Sequence, residues 1–225
     1  MMKALKYLFR RSFQSRWLAN LLTLILVVAA MVLVFVFHED RGSEDYLICK
    51  VTPHAVGMMF AFINFIVLIA DVTGNRLMRS APISPSLRTF GIPMYCTIIG
   101  GGIAFVINVA YTVFCLASGL DVLHISDMLV FSAAVAALVI ISGTLCLNIN
   151  YGSIVMIYTW MPIGMLGFIV PDNVWKNGFG LPLWAGVLIF VGAVAVSAVI
   201  SFAVSQIIYK KVDFKPLPQT NLSQR

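Results

Sequence analysis

Charge is scarce in this chain: Asp, Glu, Lys and Arg make up only 11% of 225 residues, against 60% apolar. A soluble globular domain needs far more polar surface, so that class is excluded, and a mean hydropathy of +0.97 agrees. Acids are scarcest, nine in all, and none lies near the middle of a long apolar run. A proton- or sodium-coupled transporter needs an ionisable group in its pathway, so self-powered transport is not read here. No GxxxxGK[ST] phosphate loop, HExxH or GxSxG occurs. His38, His54 and His124 all stand at the edges of apolar runs. Ser132, Ser142, Ser153 and Ser197 are therefore read as having no histidine at matching depth, and the chain as having no catalytic role of its own. Cys49, Cys96, Cys115 and Cys146 show no CxxC spacing, which leaves no metal or disulfide framework to read.

What the chain does have is six apolar runs near the length of about 20 residues that a bilayer requires: 17–37, 54–71, 91–116, 125–147, 151–170 and 183–208. None alternates as an outer-membrane strand would, so the expected class is an all-α membrane protein of six transmembrane helices. The first run lacks a small-residue cleavage site and is read as a span, not a cleaved signal.

The isoelectric point of about 9.3 does not imply nucleic acid, because the bases are sorted by side. One side holds Lys3, Lys6, Arg10, Arg11, Arg16, Arg76, Arg79, Arg88, Lys210, Lys211, Lys215 and Arg225, with Asp71 and Asp213 as its acids. The other holds Arg41, Lys50 and Lys176 against seven acids. The positive-inside rule makes both termini and the 75–93 segment cytoplasmic, in a plasma (cytoplasmic) membrane protein.

Residues 1–16 read as an amphipathic interfacial helix. Leu5, Phe9, Phe13 and Trp17 recur every four residues and basic side chains take most of the other positions. Residues 75–90 form a cationic elbow carrying Arg76, Arg79 and Arg88. Pro82, Pro85 and Pro93 are expected to stop any single helix from running through it. Asn64 and Asn108 lie deep in their runs, as helix-packing or pathway groups. Gly100-Gly101-Gly102 predicts either close helix approach or a local break. Asp121, His124 and Asp127 share a broad helical face, where a helix cap by Ser126 and Asp127 is preferred to a cation site. Ala193, Ser197, Ser201 and Ser205 form a small-residue packing row in the last run. Residues 209–225 form a cytoplasmic tail.

These features resemble the permease subunit of a type-2 ABC exporter. Residues 2–16 are similar to that family's elbow helix. Asp71 followed by Arg76-Leu77-Met78-Arg79-Ser80-Ala81-Pro82-Ile83-Ser84 is similar to its acid, short helix and Pro-Ile-Ser turn. The chain departs from the pattern in having Arg88 before Gly91 and Pro93 at the start of the third run. Its outer segment at 171–182 is also short enough that any re-entrant hairpin there is small. The resemblance implies a half-transporter with no cofactor in this chain, exporting a hydrophobic or amphipathic substrate such as a peptide, lipid or drug. ATP and Mg would be bound by a separate cytosolic ATPase subunit, docked on Arg76, Leu77, Met78, Arg79, Pro82, Ile83, Ser84 and Arg88. A second copy or a related permease would complete the pathway within the lipid bilayer. Two other readings stay open: a non-transporting assembly factor or sensor, and an ATP-independent carrier or channel.

Overall fold

The computed structural model describes residues 2–14, 84–117, 119, 122–149 and 178–211. Between 17 and 72 it also describes positions 17, 18, 20–22, 25, 26, 28, 29, 54, 57, 58, 60, 61, 63–66, 68, 69 and 72. The described part is all-α, with α1 at Met2–Gln14, α2 at Ser84–Ala117, α3 at Val122–Asn148 and α4 at Leu183–Lys211. Three helices are long and apolar enough to cross a membrane: Ser84–Ala117, Ile125–Asn148 and Leu183–Lys210. They correspond to the runs expected at 91–116, 125–147 and 183–208. The described positions of the first two runs are helical. The run at 151–170 and the tail from 212 lie outside the described residues.

Pro85 and Pro93 do not stop the helix, and Pro82 lies outside the described residues. α2 begins at Ser84, seven residues before the expected start, and continues through Pro85 and Pro93. Pro85 sits in the first turn, where a missing N–H costs nothing. Pro93 is accommodated by a π-helical turn at Leu87–Gly91, in which Ile92 N–H donates to Leu87 O. That wider turn relieves the clash between a proline ring and the carbonyl one turn back, so the helix resumes its α form. Thr89 and Thr97 hydroxyls each donate to a proline carbonyl four residues back, Pro85 O and Pro93 O, both at 2.8 Å.

α3 is the centre of the packing. In its most apolar stretch 67% of residues are buried, whereas the figure for α4 is 11%, leaving α4 at the periphery. Gly100 of α2 faces Val139 and Ile140 of α3, and Asn108 faces Ser132, so α2 and α3 run antiparallel. Gly186 faces Ser126 and Ser205 faces Asn148, so α4 runs parallel to α3. The chain from Ile149 to Gly178 therefore starts at one end of the bundle and finishes at the other. Positions 57, 65 and 72 meet Ile103, Tyr95 and Arg88 in turn, opposite in direction to α2. One end, the basal end, thus gathers α1, Val72, the start of α2 and the ends of α3 and α4.

The glycine run is a continuous helix, and only part of it serves close approach. A Cβ on Gly100 would stand 2.9 Å from Ile140 Cγ1 and 3.2 Å from Val139 Cγ1, while Gly102 is exposed with nothing near it. Gly143 is covered by the Phe65 ring, whose Cζ lies 2.7 Å from where a Cβ would be. On α4, Ser197, Ser201 and Ser205 are buried, with Ala193 partly so.

Gly100→Leu is expected to destabilise the purified protein by about 1–3 kcal/mol through overpacking against α3. Gly102→Ala should be neutral or stabilise by up to about 1 kcal/mol. Denaturation midpoints in detergent test the pair, and equal effects at both sites would refute the assigned α2–α3 seam.

Candidate functional site

At the basal end α1 lies on the head of α2. Its deepest row is Ala4, Leu8 and Ser12, while Leu5, Phe9 and Phe13 are half-buried beside it and Trp17 is 65% exposed. The periodicity is as expected but the buried row is shifted by one residue. The cause is Gly91: a Cβ there would be 3.2 Å from the Ala4 methyl, so two small residues let the backbones meet. Phe9 then sets its edge on Tyr95, at 5.0 Å and 67°, and Phe13 meets Phe60. Phe90 reaches Phe202, tying the head of α2 to α4 as well.

Arg88 is inside this junction. It is 2% exposed, and its Nη2 donates a long hydrogen bond of 3.4 Å to Val72 O. At that length the bond contributes less than a short charge-assisted one would. Ser84 is also buried. The two described members of the expected docking set thus face inward, where Arg88 joins the chain on either side of 73–83. Arg76, Leu77, Met78, Arg79, Pro82 and Ile83 lie outside the described residues.

Among the described residues, polar side chains within the bundle form three interhelical groups. Asn64, 1% exposed, donates to Asn20 Oδ1 at 3.0 Å, and Asn20 donates to Ser12 O at 3.3 Å, so the first run, the second and α1 are joined. Asn148 donates to Ser205 Oγ at 3.0 Å and Ser201 donates to Ile140 O at 3.4 Å, joining α3 to α4. Ser197 instead donates back to Ala193 O within its own helix.

The third group corrects the expectation that no serine meets a histidine. His54, 2% exposed, places Nε2 2.5 Å from Oγ of the fully buried Ser132, and its ring stands edge-on to Phe131 at 4.9 Å. Ser132 donates to Asn108 Oδ1 at 3.0 Å. With the hydroxyl proton held there, Nε2–H of His54 is the donor to Oγ, the reverse of what activates a nucleophile. Ser132 lies seven residues beyond Ile125, about 10 Å along α3. The group is therefore inside the apolar bundle and not at its edge. His54 also lines a cavity of about 10 Å³, room for a single water, with Gly57, Gly100, Ile103 and Ile107.

At the opposite end from α1, Asp127 is not an N-cap, because α3 begins at Val122. Its Oδ1 accepts from Phe179 N–H at 2.8 Å, and Ser126 Oγ donates to Pro182 O at 3.5 Å. Both side chains hold the 178–182 turn on α3. Asp121 lies outside the described residues. Cys96, Cys115 and Cys146 are buried.

Sequence reasoning passed over His54, Ser132, Asn20 and Ser12 as partners. His54 and Ser132 are 78 residues apart, and no local spacing announces their meeting.

His54→Phe and Ser132→Ala should each destabilise by about 1–3 kcal/mol, since each strands a buried partner. The double variant should cost less than the sum by at least about 0.5 kcal/mol. Strict additivity in a denaturation cycle would dissolve the pair. Compared with known proteins, the chain matches no family model, no curated protein and no solved structure.

Proposed function

We propose that the chain is the membrane-spanning half of an ATP-driven exporter of the type-2 ABC kind, with both termini and the basic segment cytoplasmic. Six spans form the unit, and ATP and Mg belong to a separate ATPase subunit. A second copy or a related permease lines the pathway for a hydrophobic or amphipathic substrate. The observation that carries this reading is the anchoring of the chain on either side of the basic segment. Arg88 and Val72, sixteen residues apart, are joined by one hydrogen bond across 73–83. The head of α2 is clamped between α1, at Gly91, and Phe202 of α4. A push on a segment held in this way passes into several helices at once, whereas a loose loop would absorb it. Arg76 and Arg79 supply the charge-assisted contacts to acids on the ATPase, and Arg88 acts as the internal brace. Six crossings also agree with the parallel run of α3 and α4, which requires an odd number of passes between them.

A second reading, a carrier that works without an ATPase, draws support from one observation. His54 is an ionisable group inside the bundle beside a small cavity, and such a group marks a functional pathway by default.

Two measurements separate these readings. Purification from native membranes should recover an ATP-hydrolysing subunit with the chain. Arg76→Glu/Arg79→Glu should abolish that recovery and cut ATP-dependent export by more than about tenfold. Gly91→Leu should keep the ATPase bound but uncouple it. Export by the chain alone in proteoliposomes, driven by a pH gradient and lost in His54→Gln, would replace the exporter with the carrier.

A further inference from the structure

We propose that α1 carries a binding site for the headgroup of an anionic phospholipid, in an open groove lined by Lys6, Phe9, Arg10 and Phe13. The groove is shallow and open to solvent. These four residues recur at three- and four-residue spacing, so they share one face of the helix. Lys6 and Arg10 form a cationic rim one turn apart on the exposed side, and α1 contains no acid. Phe9 and Phe13 form the floor, stacked at 6.0 Å and 18°. Their rings are fixed from behind by Tyr95 and Phe60, so the floor is set before anything binds.

The occupant is a lipid and not a free anion or an acidic peptide, because of what adjoins the groove. Asn20 Nδ2 donates to Ser12 O, which holds the start of the first run beside the C-terminal end of α1. From there Trp17, Leu18, Leu21, Leu22, Ile25 and Leu26 are all exposed. A phosphate on the rim and an acyl chain along that apolar row match a phospholipid from headgroup to tail. A peptide would use only the rim. The site is independent of whether the chain exports anything.

The test is thermal stability of the purified full chain in detergent, titrated with phosphatidylglycerol, phosphatidylcholine or inorganic phosphate. Phosphatidylglycerol should raise the midpoint saturably while phosphatidylcholine and phosphate do not. Each headgroup-facing cation strengthens binding roughly fivefold, so Lys6→Gln/Arg10→Gln should need about thirtyfold more lipid. Arg11→Gln removes the same charge one residue away, off the groove, and should change the titration less than about twofold against about fivefold for Arg10→Gln. Equal weakening by Arg10→Gln and Arg11→Gln would reduce the effect to diffuse attraction and overturn the site. Equal stabilisation by phosphatidylcholine would do the same. Displacement of phosphatidylglycerol by a soluble acidic peptide would reassign the groove to a protein and overturn the lipid.

Discussion

Close approach of helices around α3 is the constraint on which the described structure depends. Inside a membrane the lipid is as apolar as leucine, so helices gain little by hiding apolar side chains from it. They associate through contact area and interhelical hydrogen bonds, and both require backbones to come near. Here Gly100 admits Ile140, Gly143 admits the Phe65 ring, Gly57 admits Ile103 and Gly186 admits Ser126. The serine row of α4 serves the same end with hydroxyls added. The faces turned away, such as Phe105, Val106, Val109 and Val113 on α2, are large and exposed. The inside pairs these small residues with large ones such as Phe65, Tyr95 and Ile140, which are fully buried, so apolar bulk alone does not separate inside from outside here.

Polar side chains then tie the bundle at separate levels. Arg88 and Val72 hold the basal end, with α1 closing over Gly91. Asn64 with Asn20, and Ser132 with His54 and Asn108, hold the interior. Asp127 and Ser126 keep the 178–182 turn on the far end of α3. The basal end is also where the cations of α1, the start of α2 and the end of α4 collect. Rigid attachment of the chain on both sides of the basic segment is the property an energy-coupling element requires, and the exporter reading rests on it.

The two prolines and the histidine teach different lessons. Pro85 and Pro93 argued locally for a helix boundary. The helix passes both, because one sits where no N–H is needed and the other follows a π-turn that makes room for its ring. His54 argued from its position for a solvated edge. It lies instead in contact with a serine about 15 Å inside α3. Propensity and position are one-residue quantities, and each was overridden by an arrangement involving several turns or several helices.

From the sequence alone came the all-α class, the three described helices long and apolar enough to cross a membrane (most of their ends to within a few residues), the amphipathic character of α1 and the small-residue row of α4. All of these follow from composition and period along one helix, where a residue's neighbours are known from its number. Tertiary structure alone decided that Arg88 points inward and that His54, Ser132 and Asn108 share one site. It also decided which glycine of the run matters, and that Ala4, one residue off the expected row, meets Gly91. Those facts depend on how one helix is rotated and raised against another, and residue spacing carries no information about rotation or height.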